Sequence, residues 1–274
     1  MRIRSILTVA AGASPDEAAL TSEADALLFN VADASVPPHD ARRAAREGIE
    51  QAAGHSKVAF VRVNHPRTHM LRDDLDALVS PVLAGVFVTH TVNPQDIRDT
   101  AVILREVELR NEIEPGSVGV FPVVDTARGL LRAAELVDAA PRVRGLLLDA
   151  DTYARDVGAR PEENGPRLAY ARGKAVAVAR AYDRLPLVVS SGLEMRFLAQ
   201  HGFAGAVIDH PRYAPSANTV FTPGMGAKKR AEQHRDAYEA ARAEGAWIAR
   251  VGSEIADAHS ARKAAQTLGV SDER

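Results

Sequence analysis

The chain of 274 residues has no cysteine. That removes disulfides, thiolate-bound zinc, iron–sulfur clusters and a cysteine nucleophile together, and it fits a reducing compartment, so a cytoplasmic location is the expectation. Charge of one sign is also lacking. The 34 Lys and Arg against 36 Asp and Glu leave a formal charge of −2, which gives no reason to expect nucleic acid or an anionic membrane as a partner. Long apolar runs are missing as well: no segment approaches the ~20 residues needed to span a bilayer, and no membrane protein is expected. The short run Ile6 to Val9 follows Arg2 and Arg4 much as a secretory signal would, but Ser14, Asp16 and Glu17 interrupt it early. It reads as a first strand.

What is present is ordinary for a globular chain, 46% hydrophobic and 26% charged, enough to bury a large core. Short apolar, β-branched runs alternate with longer amphipathic stretches. The strands are expected at Arg4 to Val9, Ala26 to Asn30, Val58 to Val63, Gly85 to Thr89, Val118 to Val124, Gly145 to Leu148, Leu185 to Ser190 and Ala206 to Asp209. Most are apolar at successive positions, which suits strands covered on both faces. Helices are expected at Pro15 to Ala24, His39 to Ala53, Leu71 to Val79, Pro94 to Asn111, Ala127 to Ala139, Leu168 to Tyr182 and Leu193 to His201, with Asn93-Pro94 and Asp125-Thr126 as start signals. Eight such alternations match a (β/α)8 barrel, with a doubly wound open sheet as the alternative. The expected organisation is a barrel over residues 1–223 and a C-terminal helical extension over 224–274, with helices from Ala227 to Ala243 and from about Asp257 to Leu268.

In such a barrel the chemistry belongs at the carboxyl ends of the strands. Those ends carry Asn30 and Asp33, Arg62 and Asn64, Thr89 and His90, Asp125, Asp149 and Asp151, and Asp209 and His210. Asp125 and the Asp149/Asp151 pair follow neighbouring strands, so their carboxylates can converge on a hard cation such as Mg2+. The bland reading is that these aspartates cap the helices that follow. Arg42, Arg43 and Arg46 form a basic patch, either a solvated helix face or a place for a phosphate group. His65 and His69 have HxxxH spacing, but Pro66 lies between them and no Glu follows His65, so they read as a solvated loop. Gly224-Met225-Gly226 is no phosphate loop and there is no GxSxG elbow, which leaves nucleotide and serine hydrolysis unsupported.

The ordered series Arg4-Ser5-Ile6-Leu7, Ala24-Asp25-Ala26-Leu27-Leu28, Val61-Arg62-Val63-Asn64, Asp125-Thr126-Ala127-Arg128-Gly129, Tyr170-Ala171-Arg172, Gly202-Phe203, His210-Pro211, Phe221-Thr222-Pro223 and Ile255-Ala256-Asp257-Ala258 resembles the HpcH/HpaI aldolase and citrate lyase β-subunit-like family. That family includes malyl-CoA and citramalyl-CoA lyases. The resemblance implies a (β/α)8 barrel that assembles as a homo-oligomer, a trimer or hexamer. It implies a Mg2+-dependent carbon–carbon lyase acting on a small 2-hydroxy or 2-oxo acid or its coenzyme A thioester. Arg62 matches the family's substrate-binding arginine and, with Asp257 as an acid–base group reaching a neighbouring subunit's site, would be catalytic. Asn30 and Thr126 would contact substrate, Arg42 and Arg43 the coenzyme. Asp125 stands at a metal-binding glutamate, and the second ligand would come from Asp151 or Asp149, with Asp151 taken as the candidate.

The chain also departs from that pattern. It has Asn30-Val31-Ala32-Asp33 where the family has Asp-Leu-Glu-Asp, Asp149-Ala150-Asp151-Thr152 for Gly-Ala-Glu-Asp, and Thr89-His90 for Pro-Lys. A diverged barrel that binds a ligand or partner without turnover is therefore the alternative, and an aldol reaction on a free 2-oxo acid a third reading.

Overall fold

A computed structural model describes residues 2–33, 35–159, 168–192 and 194–269. Eight parallel strands, β1 (Ser5–Val9), β2 (Ala26–Asn30), β3 (Val58–Val63), β4 (Leu83–Val88), β5 (Gly119–Val124), β6 (Gly145–Leu148), β7 (Leu185–Val189) and β8 (Gly205–Ile208), each pair with the next, and β8 pairs back onto β1. The pairing of Ile6 with Val207 closes the ring and rules out the open doubly wound sheet. Strands apolar on both faces need cover on both, and here a ring of helices outside and side chains inside supply it.

The barrel interior is filled by Ile6, Leu28, Phe60, Phe87, Phe121, Val123, Leu147, Leu187 and Val207, all buried. Phe60 meets Phe87 and Phe121 edge-on at 5.5 and 5.4 Å, while Phe87 and Phe121 stack at 4.7 Å. Such a large ring fits because its neighbours are small. A Cβ on Gly85 or Gly145 would fall 2.8 or 2.7 Å from the Phe121 ring, so those two glycines are set by close approach. The outer faces of the strands, including Leu27, Val61, Val86 and Val124, pack instead under the helices in the larger core. Each fully buried side chain of this size contributes roughly 1.5–3 kcal/mol relative to exposure.

The helices of this part are α1 (Glu17–Thr21), α2 (Pro38–Gly54), α3 (Leu71–Leu78), α4 (Pro94–Arg110), α5 (Ala127–Leu131), α6 (Ala133–Val137), α7 (Ala150–Asp156), α8 (Ala169–Ala181), α9 (Met195–Gln200) and α10 (Ala214–Val220). Asn93 caps α4 in a reciprocal box with Asp96, as the Asn-Pro start signal implies. The single helix expected over Ala127 to Ala139 is broken at Arg132, whose guanidinium reaches the Val92 carbonyl. Neither α7 nor α10 is expected from periodicity, because each is too short to show one. The expected helix start at Leu193 lies outside the described residues.

The chain divides into two compact units, residues 3–221 and a second comprising 1–2 with 222–274. In the second, α11 (Met225–Ala243) packs on α12 (Ala258–Leu268) beside a hairpin of β9 (Ala249–Val251) and β10 (Glu254–Ala256). Asp257 and Ser260 cap α12 reciprocally, and Arg2 donates to the Gln266 and Thr267 carbonyls. Among the described residues no helix is long and apolar enough to cross a membrane.

Candidate active site

Alternate residues of a strand share a face, so the inner-face series Leu28, Phe60, Val123 and Leu147 continues by two residues to Asn30, Arg62, Asp125 and Asp149. Four polar side chains thus crown an apolar plug at the carboxyl end of the barrel. Asn30 and Arg62 are direct register partners on β2 and β3. Across the mouth, Arg62 Nη2 donates to Asp149 Oδ2 at 3.3 Å, the two side chains being 24% and 9% exposed. Asp149 Oδ1 accepts from the Thr152 amide at 3.1 Å and so caps α7.

Asp125 is fully buried. Its Oδ2 lies 2.8 Å from His90 Nδ1 and accepts from the His90 amide at 3.2 Å, while its Oδ1 is buried without a hydrogen-bond partner among the described residues. Burial raises the Asp125 pKa above the usual carboxylate range. The His90 ring and amide pull it back, the Asp149 charge pushes it further up, and Arg62 lowers it; the net direction is up. His90 takes a left-handed backbone, φ +54°, which lets ring and amide address the same oxygen, and its side chain remains 63% exposed.

The other candidates are placed as follows. Asn30 Oδ1 accepts from the Ala32 amide at 3.0 Å, and Thr126 caps α5 through the Gly129 amide at 3.1 Å. Asp151 is exposed in the first turn of α7, so the carboxylate that the structure puts beside Arg62 and Asp125 is Asp149. The reason is parity: Asp149 continues the inner face of β6, whereas the helix turns Asp151 away. The capping reading of Asp149 and its place in the site hold together. For Asp125 the capping side chain on α5 belongs to Thr126 instead.

The coenzyme role expected of Arg42 and Arg43 meets a different geometry. Arg42 joins α2 to α3, with Nε 2.7 Å from the buried Asp74 carboxylate and Nη2 on the Met70 carbonyl. Asp74 also accepts from the Asn64 amide and side chain, so Arg42 completes a buried network. Arg43 is exposed and pairs with Asp40 at 2.9 Å. His65 is not a solvated loop residue: its ring lies 3.2 Å from Asp96 and is 15% exposed. Asp257 lies in the second compact unit, and the Ser260 amide holds its carboxyl below the usual range, which keeps it ionised. His90 is among the strand-end residues that the sequence reading left without a role. Its signal was its place after strand four, but its pairing with Asp125 depends on β4 lying beside β5.

Among the described residues no group of three or more His, Asp or Glu is arranged to hold a metal ion. Mg2+ does not require three: one or two carboxylates with water and substrate complete its octahedron. Asp125 and Asp149 meet that requirement, and the unpartnered Asp125 Oδ1 is the kind of buried acceptor that a hard cation satisfies. The residues present fit the ion.

A closed parallel barrel with flanking helices, its ionisable groups gathered at the strands' carboxyl ends, defines the (β/α)8 barrel class. Residues 8–205 match the HpcH/HpaI aldolase/citrate lyase family model, and the chain belongs to that family. It is 26% identical over 245 residues to the citrate lyase subunit beta of Escherichia coli (strain K12), covering 85% of this chain and 81% of that protein. It is also 26% identical over 261 residues to a (3S)-malyl-CoA thioesterase of Cereibacter sphaeroides, covering 89% and 86%. Among solved structures, a citrate lyase from Burkholderia xenovorans shares the fold with a TM-score of 0.71 at 17% identity, over 97% of this chain and 90% of that one. The CitE protein of Mycobacterium tuberculosis, solved with magnesium, acetoacetate and coenzyme A, shares it with a TM-score of 0.66 at 21% identity, over 96% of both chains.

Proposed function

We propose that this protein is a Mg2+-dependent carbon–carbon lyase of the aldol or Claisen type, acting on a small 2-hydroxy or 2-oxo acid or its coenzyme A thioester. The observation that carries the reading is the buried, unpartnered Asp125 Oδ1 within a group of two carboxylates and one arginine at the barrel mouth. A charge count supports it. Arg62 against Asp125 and Asp149 leaves one negative charge with His90 neutral; a divalent cation turns this into one positive charge, which a monoanionic acid neutralises. The relatives named citrate lyase subunit beta and (3S)-malyl-CoA thioesterase, and the CitE complex with magnesium, acetoacetate and coenzyme A, point the same way.

In this reading Asp125 and Asp149 hold the ion, in place of Asp125 and Asp151. When bound, the ion supplies positive charge opposite the negative charge that develops on a substrate oxygen as the bond breaks. Arg62 orients the substrate carboxylate through a charge-assisted pair. The apolar plug of Phe60, Phe87 and Val123 below excludes water from beneath the substrate, which strengthens those interactions. Asp257, ionised because it caps α12, would take up a proton as the base from a neighbouring subunit of a trimer or hexamer. Asn30 and Thr126 flank the substrate.

The test incubates the purified chain with malyl-CoA, citramalyl-CoA and the free 2-hydroxy acids, with and without Mg2+. Mg2+-dependent release of a 2-oxo acid or of an acyl-CoA is the expected result. No release from any of them, together with no Mg2+ affinity in a calorimetric titration, would sink the proposal. A barrel that binds a ligand or partner without turnover is the second reading, favoured by the Asp149 carboxylate already resting on Arg62. A ligand-induced thermal shift without product release would establish it.

A further inference from the structure

The Arg62 guanidinium is engaged before any substrate arrives. Its partner, Asp149, lies 87 residues away in sequence and reaches it across the barrel mouth, from the end of β6 to β3. The capping bond from Thr152 to Oδ1 fixes the carboxylate and leaves Oδ2 for Arg62. Capping alone does not ask for a charge, since Asn, Ser or Thr caps a helix about as well. The negative charge therefore has a second consequence, and it acts on Arg62.

We propose that Asp149 is an internal stand-in for a substrate carboxylate. It closes Arg62 to anionic ligands in the metal-free protein, and it frees Arg62 when a divalent cation takes up the Asp149 carboxylate. Cation binding then precedes acid binding. The inference rests on the reading of the mouth as an oxo-acid site. An acid entering the metal-free site would exchange one carboxylate for another on the same guanidinium, with little net gain, and would meet the uncompensated charge of Asp149 and Asp125. With the cation in place the displaced carboxylate has a partner. Linkage then requires the acid to tighten cation binding by the same factor by which the cation tightens acid binding.

The experiment titrates pyruvate calorimetrically into the full chain, with and without MgCl2, for the wild type, Asp149→Asn, Arg62→Gln and the double variant. Asn keeps the α7 cap, and a melting curve taken alongside verifies the fold. Without Mg2+, Asp149→Asn is expected to bind pyruvate at least about tenfold more tightly than the wild type, the scale of one charge-assisted hydrogen bond. Arg62→Gln in the same background removes that gain. In the wild type Mg2+ tightens pyruvate binding by a similar factor, and in Asp149→Asn this coupling shrinks. Absence of a gain in Asp149→Asn, including no binding by either protein, overturns the proposal, and so does a gain that survives Arg62→Gln. A gain without lyase turnover leaves the stand-in role and removes the catalytic reading; turnover without the gain does the reverse.

Discussion

The two ends of β5 carry buried carboxylates finished in opposite ways. At the amino end, Glu108 of α4 accepts from Arg142 at 2.8 and 3.2 Å, from the Gly116 amide at 2.9 Å and from the Val118 amide at 3.0 Å. Burial alone would raise its pKa, but Arg142 and the two amides outweigh burial and hold it below the usual range. At the carboxyl end, Asp125 has one oxygen answered and one orphaned, and burial wins. A buried charge with every acceptor satisfied serves the fold. One left half satisfied keeps binding capacity for a ligand and lowers stability without it.

The comparison breaks most visibly at Glu108. Glu108→Gln leaves Arg142 buried without its counter-charge, and a loss of about 3–5 kcal/mol in urea unfolding is expected. A loss below about 1 kcal/mol would show that the network is not the anchor its geometry implies. Asp125→Asn should act in the opposite sense, raising the metal-free stability by about 1 kcal/mol while removing the stabilisation that Mg2+ confers. Destabilisation by Asp125→Asn would refute the asymmetry.

The pH dependence sharpens it further. A depressed folded pKa at Glu108 means that its stabilisation is present above the unfolded value and lost as pH falls through the folded one. The raised pKa at Asp125 means that the folded state holds its proton longer, so its contribution is full below the unfolded value and lost as pH rises through the folded one. Unfolding free energies of each variant minus wild type, followed from the acid limb to neutrality, should slope in opposite directions. The smallest effect belongs to Asp151→Ala. With its side chain exposed, stability should stay within about 0.5 kcal/mol and Mg2+ affinity should be unchanged by titration. A lost affinity would return Asp151 to the metal site in place of Asp149.

Much of the scaffold was legible because its signals are local. Strands such as Gly119–Val124 and Gly145–Leu148 announce themselves by unbroken apolar residues, and α4 by Asn93-Pro94. Two short helices and the C-terminal hairpin were harder. Ala150–Asp156 and Ala214–Val220 turn too few times to show a period, and each strand of the hairpin, Ala249–Val251 and Glu254–Ala256, has only three residues. At the site, Arg62 and Asp125 could be read as strand-end residues. The preference for Asp149 over Asp151 turns on which residue continues the inner face, and a one-residue error in register moves a side chain to the other face.

What the amino-acid order determined by itself is the alternation of strands and helices and the polar character of the strand ends, because periodicity and capping act over a few residues. Only the closed barrel decided which of those ends meet. Arg62 finds Asp149 across 87 residues, and His90 finds Asp125 across 35. Nothing in the intervening chain encodes those distances except the packing of every strand around one interior.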